Sequence, residues 1–246
     1  MTNLHKRILT SLIILPLTLF FILKGGYFLI FFLIFVLFAG MHELFSVFRK
    51  KKNILFLVSV LILSLFSIYY LRNDHYYSQI LLYWVIILCI FSDIGGYVFG
   101  KIFKWKKLTK ISPKKTISGV FGSFFFSFVW LVIVHELSYQ DWFYKIFYHR
   151  YLDDPGAWPM YFFSIKYFIL TIIFSMVAQA GDLTISYLKR LEKIKDTGKI
   201  LPGHGGIFDR IDGLMFVVIL ASLLYYLTKM ELIQNPQTGT FLWLLL

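Results

Sequence analysis

Hydrophobic residues run along this chain in long blocks separated by short polar breaks. Seven blocks approach the ~20 residues that a helix needs to cross a bilayer. They are residues 8–23, 27–46, 54–71, 80–99, 117–135, 160–180 and 211–228. The pattern predicts an all-α fold, a polytopic membrane bundle of about seven to nine membrane helices. Residues 182–194 are too polar to face lipid along their whole length. The tail "TGTFLWLLL" is too short to cross alone and is placed in the interface or against the bundle. No internal repeat or linker divides the chain. Residues 1–246 are therefore read as a single integral membrane domain, with N-terminal spans over 1–90 and a second part over 91–228 that carries the polar segments.

Composition sharpens this picture. Of 246 residues, 59% are hydrophobic and 15% charged, against about 25% charged in a soluble domain. Mean hydropathy is +0.73. A soluble globular protein is excluded on these figures. The net charge of +12 would suggest nucleic acid in a soluble protein. Here it is better explained by basic loops beside anionic headgroups, so no nucleic-acid partner is expected. The single cysteine, Cys89, cannot form an intrachain disulfide.

The N-terminus "MTNLHKRILTSLIILPLTLFFILKGG" imitates a secretory signal but lacks a small-x-small cleavage site, the first alanine being Ala39. It is read as a retained first span. With the N-terminus placed in the cytoplasm, the seven spans put 19 of the 25 Lys and Arg on that side. This bias favours an orientation in which segments 100–116 and 181–210 are both cytoplasmic.

These two segments hold the candidate chemistry. Residues 181–213 read "GDLTISYLKRLEKIKDTGKILPGHGGIFDRIDG" and contain four of the chain's nine aspartates, six basic residues and several glycines. Helical spacing puts Asp182, Ser186, Lys189 and Lys193 on one face, with Arg190 one position round. The helix alone also suits an amphipathic element lying on the membrane surface. The residues that follow favour a phosphate site. Pro202, Gly203, His204, Gly205 and Gly206 form a turn whose backbone can approach and cradle anions. Asp209 and Asp212, three residues apart, join Asp182 as hard oxygen donors suited to Mg²⁺. Lysines and arginines can hold phosphate. His204 is read as a turn or hydrogen-bonding residue, not a metal ligand.

Upstream, "FSDIGGYVFGKIFKWKKLTKISPKKTISGVFG" spans residues 91–122. Asp93 lies roughly 10 Å inward from Lys101 along a helix, and an acid at that depth is a functional candidate or the partner of a neighbouring lysine. Gly95, Gly96 and Gly100 suit close helix packing. "SPKKT" resembles a helix start, with Ser112 as cap and Pro113 in the first turn. Two stretches are decoys. "HELFS" at 42–46 lacks the second histidine of a zinc motif, and its Glu43 is expected to pair with a cation near the inner face. "GYVFGK" lacks P-loop spacing.

The motif of residues 182–212 resembles the C-terminal signature of the phosphatidate cytidylyltransferases, or CDP-diacylglycerol synthases. The matching positions are Ser186, Lys189, Arg190, Lys195, Asp196, Pro202 to Gly206, Asp209, Arg210 and Asp212. Upstream, Ser92, Asp93, Gly100, Ser112, Pro113, Lys115 and Thr116 also match the family. The likeness covers roughly the C-terminal two-thirds. One departure is Ser118, where the family commonly has glutamate. The chain is also short for the family.

The resemblance implies condensation of CTP with phosphatidic acid to CDP-diacylglycerol and pyrophosphate, in phospholipid biosynthesis. It assigns Asp182, Lys189 and Asp209 to catalysis, with Asp182 and Asp209 as the leading Mg²⁺ ligands and room for a second, monovalent cation. It assigns substrate binding to Asp93, Ser112, Lys115, Thr116, Ser186, Arg190, Lys195, Asp196, Gly203, His204, Gly205, Gly206, Arg210 and Asp212. It places the protein in a bacterial inner membrane, among membrane lipid, and leaves a homodimer open.

Three other classes compete. A transporter or channel also uses buried acids and glycine-broken helices, but here the charges gather at one face. A CDP-alcohol phosphotransferase needs a different aspartate spacing. A lipid-binding scaffold needs no carboxylates set among phosphate-binding cations.

Overall fold

The computed structural model describes residues 3–109, 112, 115–138, 165–198 and 205–234. Among them are seven helices: α1 (Asn3–Lys24), α2 (Gly26–Val47), α3 (Lys51–Asn73), α4 (Tyr76–Phe103), α5 (Ile117–Ser138), α6 (Ile165–Leu191) and α7 (Phe208–Gln234). Six of these, α2 to α7, are long and apolar enough to cross a membrane; α1 contributes a shorter apolar stretch at Leu12–Lys24. The expected helical membrane bundle is therefore the fold. A helix satisfies its own backbone groups, which is the condition for crossing hydrocarbon. The C-terminal tail considered above and the first residues of the predicted span 160–180 lie outside the described residues.

The packing is that of a protein solvated by lipid. Phe31, Phe38, Leu55 and Phe66 point outward and are mostly exposed. In water such a surface would invite association; in lipid it is the solvated face. Leu29, Leu44, Leu57, Leu61, Leu88 and Phe174 are fully buried between helices. Polar contacts add direction to this core. Ser92 and Ser175 hydroxyls lie 3.0 Å apart between α4 and α6, and Ser222 donates to Ser67 at 2.8 Å between α7 and α3. Trp130 Nε1 donates to the Trp84 carbonyl at 3.2 Å, tying α5 to α4.

α4 and α5 make the most extensive helix–helix contact. Glycine permits it. A Cβ on Gly95 would run into the Gly122 carbonyl, and one on Gly122 would run into the Gly95 carbonyl and the Phe99 side chain. The small-residue packing expected of Gly95, Gly96 and Gly100 is thus realised: Gly96 faces Ser123 and Gly119, and Gly100 faces Thr116. This close approach fixes the end of α4 beside the start of α5, and between them runs the basic segment 104–116. That segment closes as a small hairpin, with Leu108 N–H donating to Lys115 O at 2.8 Å and Ile117 N–H to Lys106 O at 3.0 Å.

Three sequence expectations are corrected here. The span predicted over 160–180 does not end there. α6 runs unbroken to Leu191, because Gly181 sits against Phe216 and the Asp212 carbonyl of α7 without interrupting the turn. Lys193 is not on the face of Asp182, Ser186 and Lys189. It has φ 58 and ends the helix: Ile194 N–H donates to Lys189 O and Lys193 N–H to Arg190 O, each at 3.0 Å, the paired closure of a Schellman turn. Ser112 is not the cap of α5. Helix starts at Ile117, and Thr116 Oγ1 accepts the Gly119 N–H at 3.1 Å, the geometry of an N-cap.

The loop after α6 is also anchored to the turn before α3. Glu192 accepts from Asn53 Nδ2 at 2.7 Å, from Lys50 N–H at 3.1 Å and from Arg49 N–H at 3.2 Å. Desolvation works against its ionised form, but these bonds outweigh it and hold its carboxyl below the usual range.

If the α4–α5 contact rests on glycine, Gly122→Ala should destabilise the bundle by about 1–3 kcal/mol, the usual overpacking range. Thermal unfolding in detergent reads this directly, and an unchanged melting temperature would contradict the packing argument.

Candidate active site

Three segments meet at one end of the bundle: the last turns of α6, the described residues 192–198 and 205–207 between α6 and α7, and the paired residues 106–108 and 115–117 before and at the start of α5. Two ion pairs join them. Lys115 Nζ lies 2.6 Å from Asp182 Oδ2, tying the start of α5 to α6. Lys189 Nζ lies 2.6 Å from Asp209 Oδ1, tying α6 to α7. The second pair is drier, its side chains 10% and 8% exposed against 24% and 31% for the first. Its attraction is the less screened, and its partners are the more costly to separate.

Asp209 is the best-ligated carboxylate of the set. Besides Lys189 on Oδ1, its Oδ2 accepts the Thr197 N–H at 2.8 Å, the Thr197 hydroxyl at 3.1 Å and the Gly206 N–H at 3.1 Å. It stands in the first turn of α7, where the helix dipole favours negative charge. Gly205 has φ 85, and a Cβ there would lie 2.9 Å from Asp209 Oδ2. Both the backbone conformation and the close approach require glycine.

On α6, Asp182, Ser186 and Lys189 stack on one face as their spacing predicts. Ser186 Oγ donates to Asp182 Oδ1 at 3.3 Å, and Ser186 and Lys189 are buried. Lys115 Nζ reaches the Gln179 carbonyl at 3.3 Å as well as Asp182. Asp93, Asp182 and Asp212 lie within electrostatic reach of one another, with Lys115, Lys189 and Arg210 as nearby cations. Asp93 is exposed although it sits within α4, so it opens toward this polar cluster and not into packed helix. Asp212 Oδ1 accepts the Gly213 N–H at 2.9 Å.

The remaining candidates are more peripheral. Arg190 is exposed, and its Nη1 donates to the Ile194 carbonyl at 3.1 Å, which makes it part of the turn closing α6. Lys195, Asp196 and Arg210 are exposed on the same end. Ser112 accepts the Lys115 N–H through its carbonyl at 3.0 Å. Thr116 caps α5 and lies 3.0 Å, oxygen to oxygen, from Ser118. Gly206 is buried beside Thr197. Gly203 and His204, with Pro202, Pro113 and Lys114, lie outside the described residues.

Two residues of the site escaped sequence reasoning. Thr197 supplies two donors to Asp209 from inside "KDTG", where it looked like loop filler. Among the described residues Glu43 has no cation as partner: its carboxylate accepts main-chain N–H groups at the start of α7. The available signal was that Glu43 is the sole acidic residue before Asp74.

Among the described residues, no three Asp, Glu, His or Cys side chains are disposed to enclose a metal ion by themselves. Asp182 and Asp209 each nevertheless hold a cationic nitrogen at 2.6 Å, and their oxygens are hard donors. Such oxygens are the kind of donor that Mg²⁺ takes together with phosphate and water, although both Asp209 oxygens already hold protein donors.

Comparison with known proteins bears on the same residues. The cytidylyltransferase family model matches residues 51–228, which contain every candidate position except Glu43. The chain is 32% identical over 235 residues to the phosphatidate cytidylyltransferase of Rickettsia felis, covering 92% of each chain. It is 33% identical over 152 residues to the protein of that name from Helicobacter pylori, covering 61% of this chain and 49% of that one. With the Staphylococcus aureus protein of that name it is 39% identical over 137 residues, 54% of this chain and 44% of the other.

The burial of the two ion pairs sets an order of effects. Lys189→Met strands a buried carboxylate and should cost about 3 kcal/mol; Lys115→Met, at the wetter pair, should cost about 1 kcal/mol or less. Unfolding of the two variants in detergent tests this, and the reverse order would refute the assignment.

Proposed function

The chain belongs to the cytidylyltransferase family, and on that premise we propose that it is a CTP:phosphatidate cytidylyltransferase acting at the membrane surface. The observation that carries the reading is the pairing of Lys115 with Asp182 and of Lys189 with Asp209 at one end of an apolar bundle. A lipid phosphate can reach such a place while its acyl chains stay in hydrocarbon, and a nucleotide can reach it from water. Neither a scaffold nor a midplane transport path needs this concentration of acid and base at one end.

In the reaction, a phosphate oxygen of phosphatidic acid attacks the α-phosphorus of CTP. The bond from that phosphorus to the β-phosphate bridging oxygen breaks, and pyrophosphate leaves with the electron pair. The attacking oxygen is already anionic, so no strong base is required of the protein. The task is to bring two anions together and to neutralise charge as it shifts onto pyrophosphate.

Lys115 and Lys189 supply that neutralisation. Each is held by a carboxylate at 2.6 Å, which aims its ammonium into the site. Arg210 and Arg190 extend the positive rim, and Ser186 orients Asp182. Thr116 and the hairpin place Lys115 from the second segment. The backbone around Gly205 and Gly206 allows phosphate to approach N–H groups. Asp182 and Asp209 would hold Mg²⁺, with Asp93 and Asp212 close enough to add charge to its surroundings. A bound Mg²⁺ supplies further neutralisation and orientation of phosphate oxygens.

The charge asymmetry supports an orientation with this end in the cytoplasm, in a bacterial inner membrane. The described residues of this site all come from one chain, and a homodimer stays part of the proposal.

Purified protein in detergent, given phosphatidic acid, labelled CTP and Mg²⁺, should form labelled CDP-diacylglycerol. Asp182→Asn should lower kcat by about 100-fold or more, and EDTA should abolish product. Product that survives EDTA would remove the metal from the reading; a folded protein with no product across lipids and divalent ions would remove the reaction itself.

A further inference from the structure

Glu43 stands apart from every segment that carries the proposed chemistry. It belongs to α2, ahead of residue 51, where the family match begins, and it is 1% exposed. Among the described residues, none of the ion pairs includes it. Its carboxylate accepts from the main chain instead. Ile207 N–H donates to Oε1 at 2.9 Å and to Oε2 at 2.8 Å, and Phe208 N–H donates to Oε2 at 3.3 Å.

A buried carboxylate costs several kcal/mol unless it is compensated. Here the compensation is the start of α7. The first N–H groups of a helix lack intrahelical partners, and they carry the positive end of the dipole. Glu43 provides the acceptor for them from 164 residues away in the chain.

The same carboxylate touches both ends of the glycine-rich loop. A Cβ on Gly198 would lie 2.5 Å from Glu43 Oε1, and one on Gly206 would lie 2.6 Å from Oε2. Thr197, whose hydroxyl is also within hydrogen-bonding reach of Glu43, and Gly206 are the two residues whose N–H groups ligate Asp209 Oδ2. One side chain thus borders the two ends of the loop, the first turn of α7 and the donors of Asp209.

We propose that Glu43 is a positioning residue of the nucleotide site: rooted in α2, it clamps residues 198 and 206–208 and so sets where Asp209 and the loop N–H groups meet the phosphates of CTP. The proposal rests on the cytidylyltransferase reading above. Glu43 touches no reacting atom; it acts through the loop. It makes α2 part of the catalytic architecture, although the family signature lies wholly outside that helix.

Glu43→Gln is the sharpest test. It keeps size but sets an amide NH₂ against N–H donors. CTP KM should rise about tenfold or more, because misplacement of the loop is felt at the site, while KM for phosphatidic acid should stay within about twofold. Glu43→Asp keeps the charge on a shorter arm and should give a smaller rise in CTP KM, which preserves the test if the glutamine variant does not fold. Hydrogen exchange at the Ile207 and Phe208 amides, which needs no turnover, should quicken in either variant. A CTP KM within about twofold of wild type in the folded variants, or a fall in kcat with both KM values unchanged, would overturn the proposal. An inactive wild type would instead defeat the cytidylyltransferase reading, and the two failures are thereby told apart.

Discussion

Asp209 is a charge placed where water is scarce, and its need for partners organises the end of the bundle. A carboxylate at that depth is tolerable only with donors around it. It finds an ammonium on α6, a backbone N–H and a hydroxyl from Thr197, and the N–H of Gly206. Those donors come from both sides of the loop joining α6 to α7. Satisfying one acid therefore draws Thr197 and Gly206 together, ties α6 to α7 and points Lys189 inward. Gly205 follows from the same need, since any side chain there would crowd the acceptor oxygen.

The second ion pair repeats the logic with a wetter, looser setting. Lys115 reaches Asp182 across the gap between the hairpin and α6, and that reach depends on where α5 begins. α5 begins where it does because glycines let α4 and α5 nearly touch, leaving a tight hairpin between their ends. Packing inside the hydrocarbon thus determines the position of a charge at its edge. A phosphate arriving between Lys115 and Lys189 would meet two cations already held in place, so little conformational entropy remains to be lost on binding.

Much of this was legible in the sequence, for a physical reason. Span length and charge asymmetry are properties of single segments, and so are the i, i+4 and i+7 stackings of Asp182, Ser186 and Lys189. The stacking on α6 and the spans from residue 27 onward are what the structure shows. What failed were features that depend on a partner far along the chain. Lys193 was extrapolated along a helix that a Schellman turn had already ended. Ser112 was chosen as a cap because Pro113 follows it, while the hairpin moves the helix start to Thr116. The span was ended at residue 180 because the run after Gly181 is polar, yet packing against Phe216 and Asp212 of α7 carries α6 straight through. Glu43 was the hardest case, because a carboxylate looks as though it needs a cation, and nothing local reveals that a distant helix start will serve.

Ser118 shows how the same local chemistry can absorb a departure. The phosphatidate cytidylyltransferases commonly carry glutamate at this position, so its replacement by a hydroxyl might be thought to remove a working group. The side chain is instead buried at 1% exposure, with its oxygen 3.0 Å from the Thr116 hydroxyl that caps α5. A carboxylate buried there would need donors of its own, and the hydroxyl needs only the neighbour it has. Ser118 accordingly belongs to the start of α5. Lys115, three residues earlier and bonded to Asp182, is what that helix start presents to the site. The acids gathered at this end then come from α4, α6 and α7, as Asp93, Asp182, Asp209 and Asp212, with α5 contributing position and positive charge.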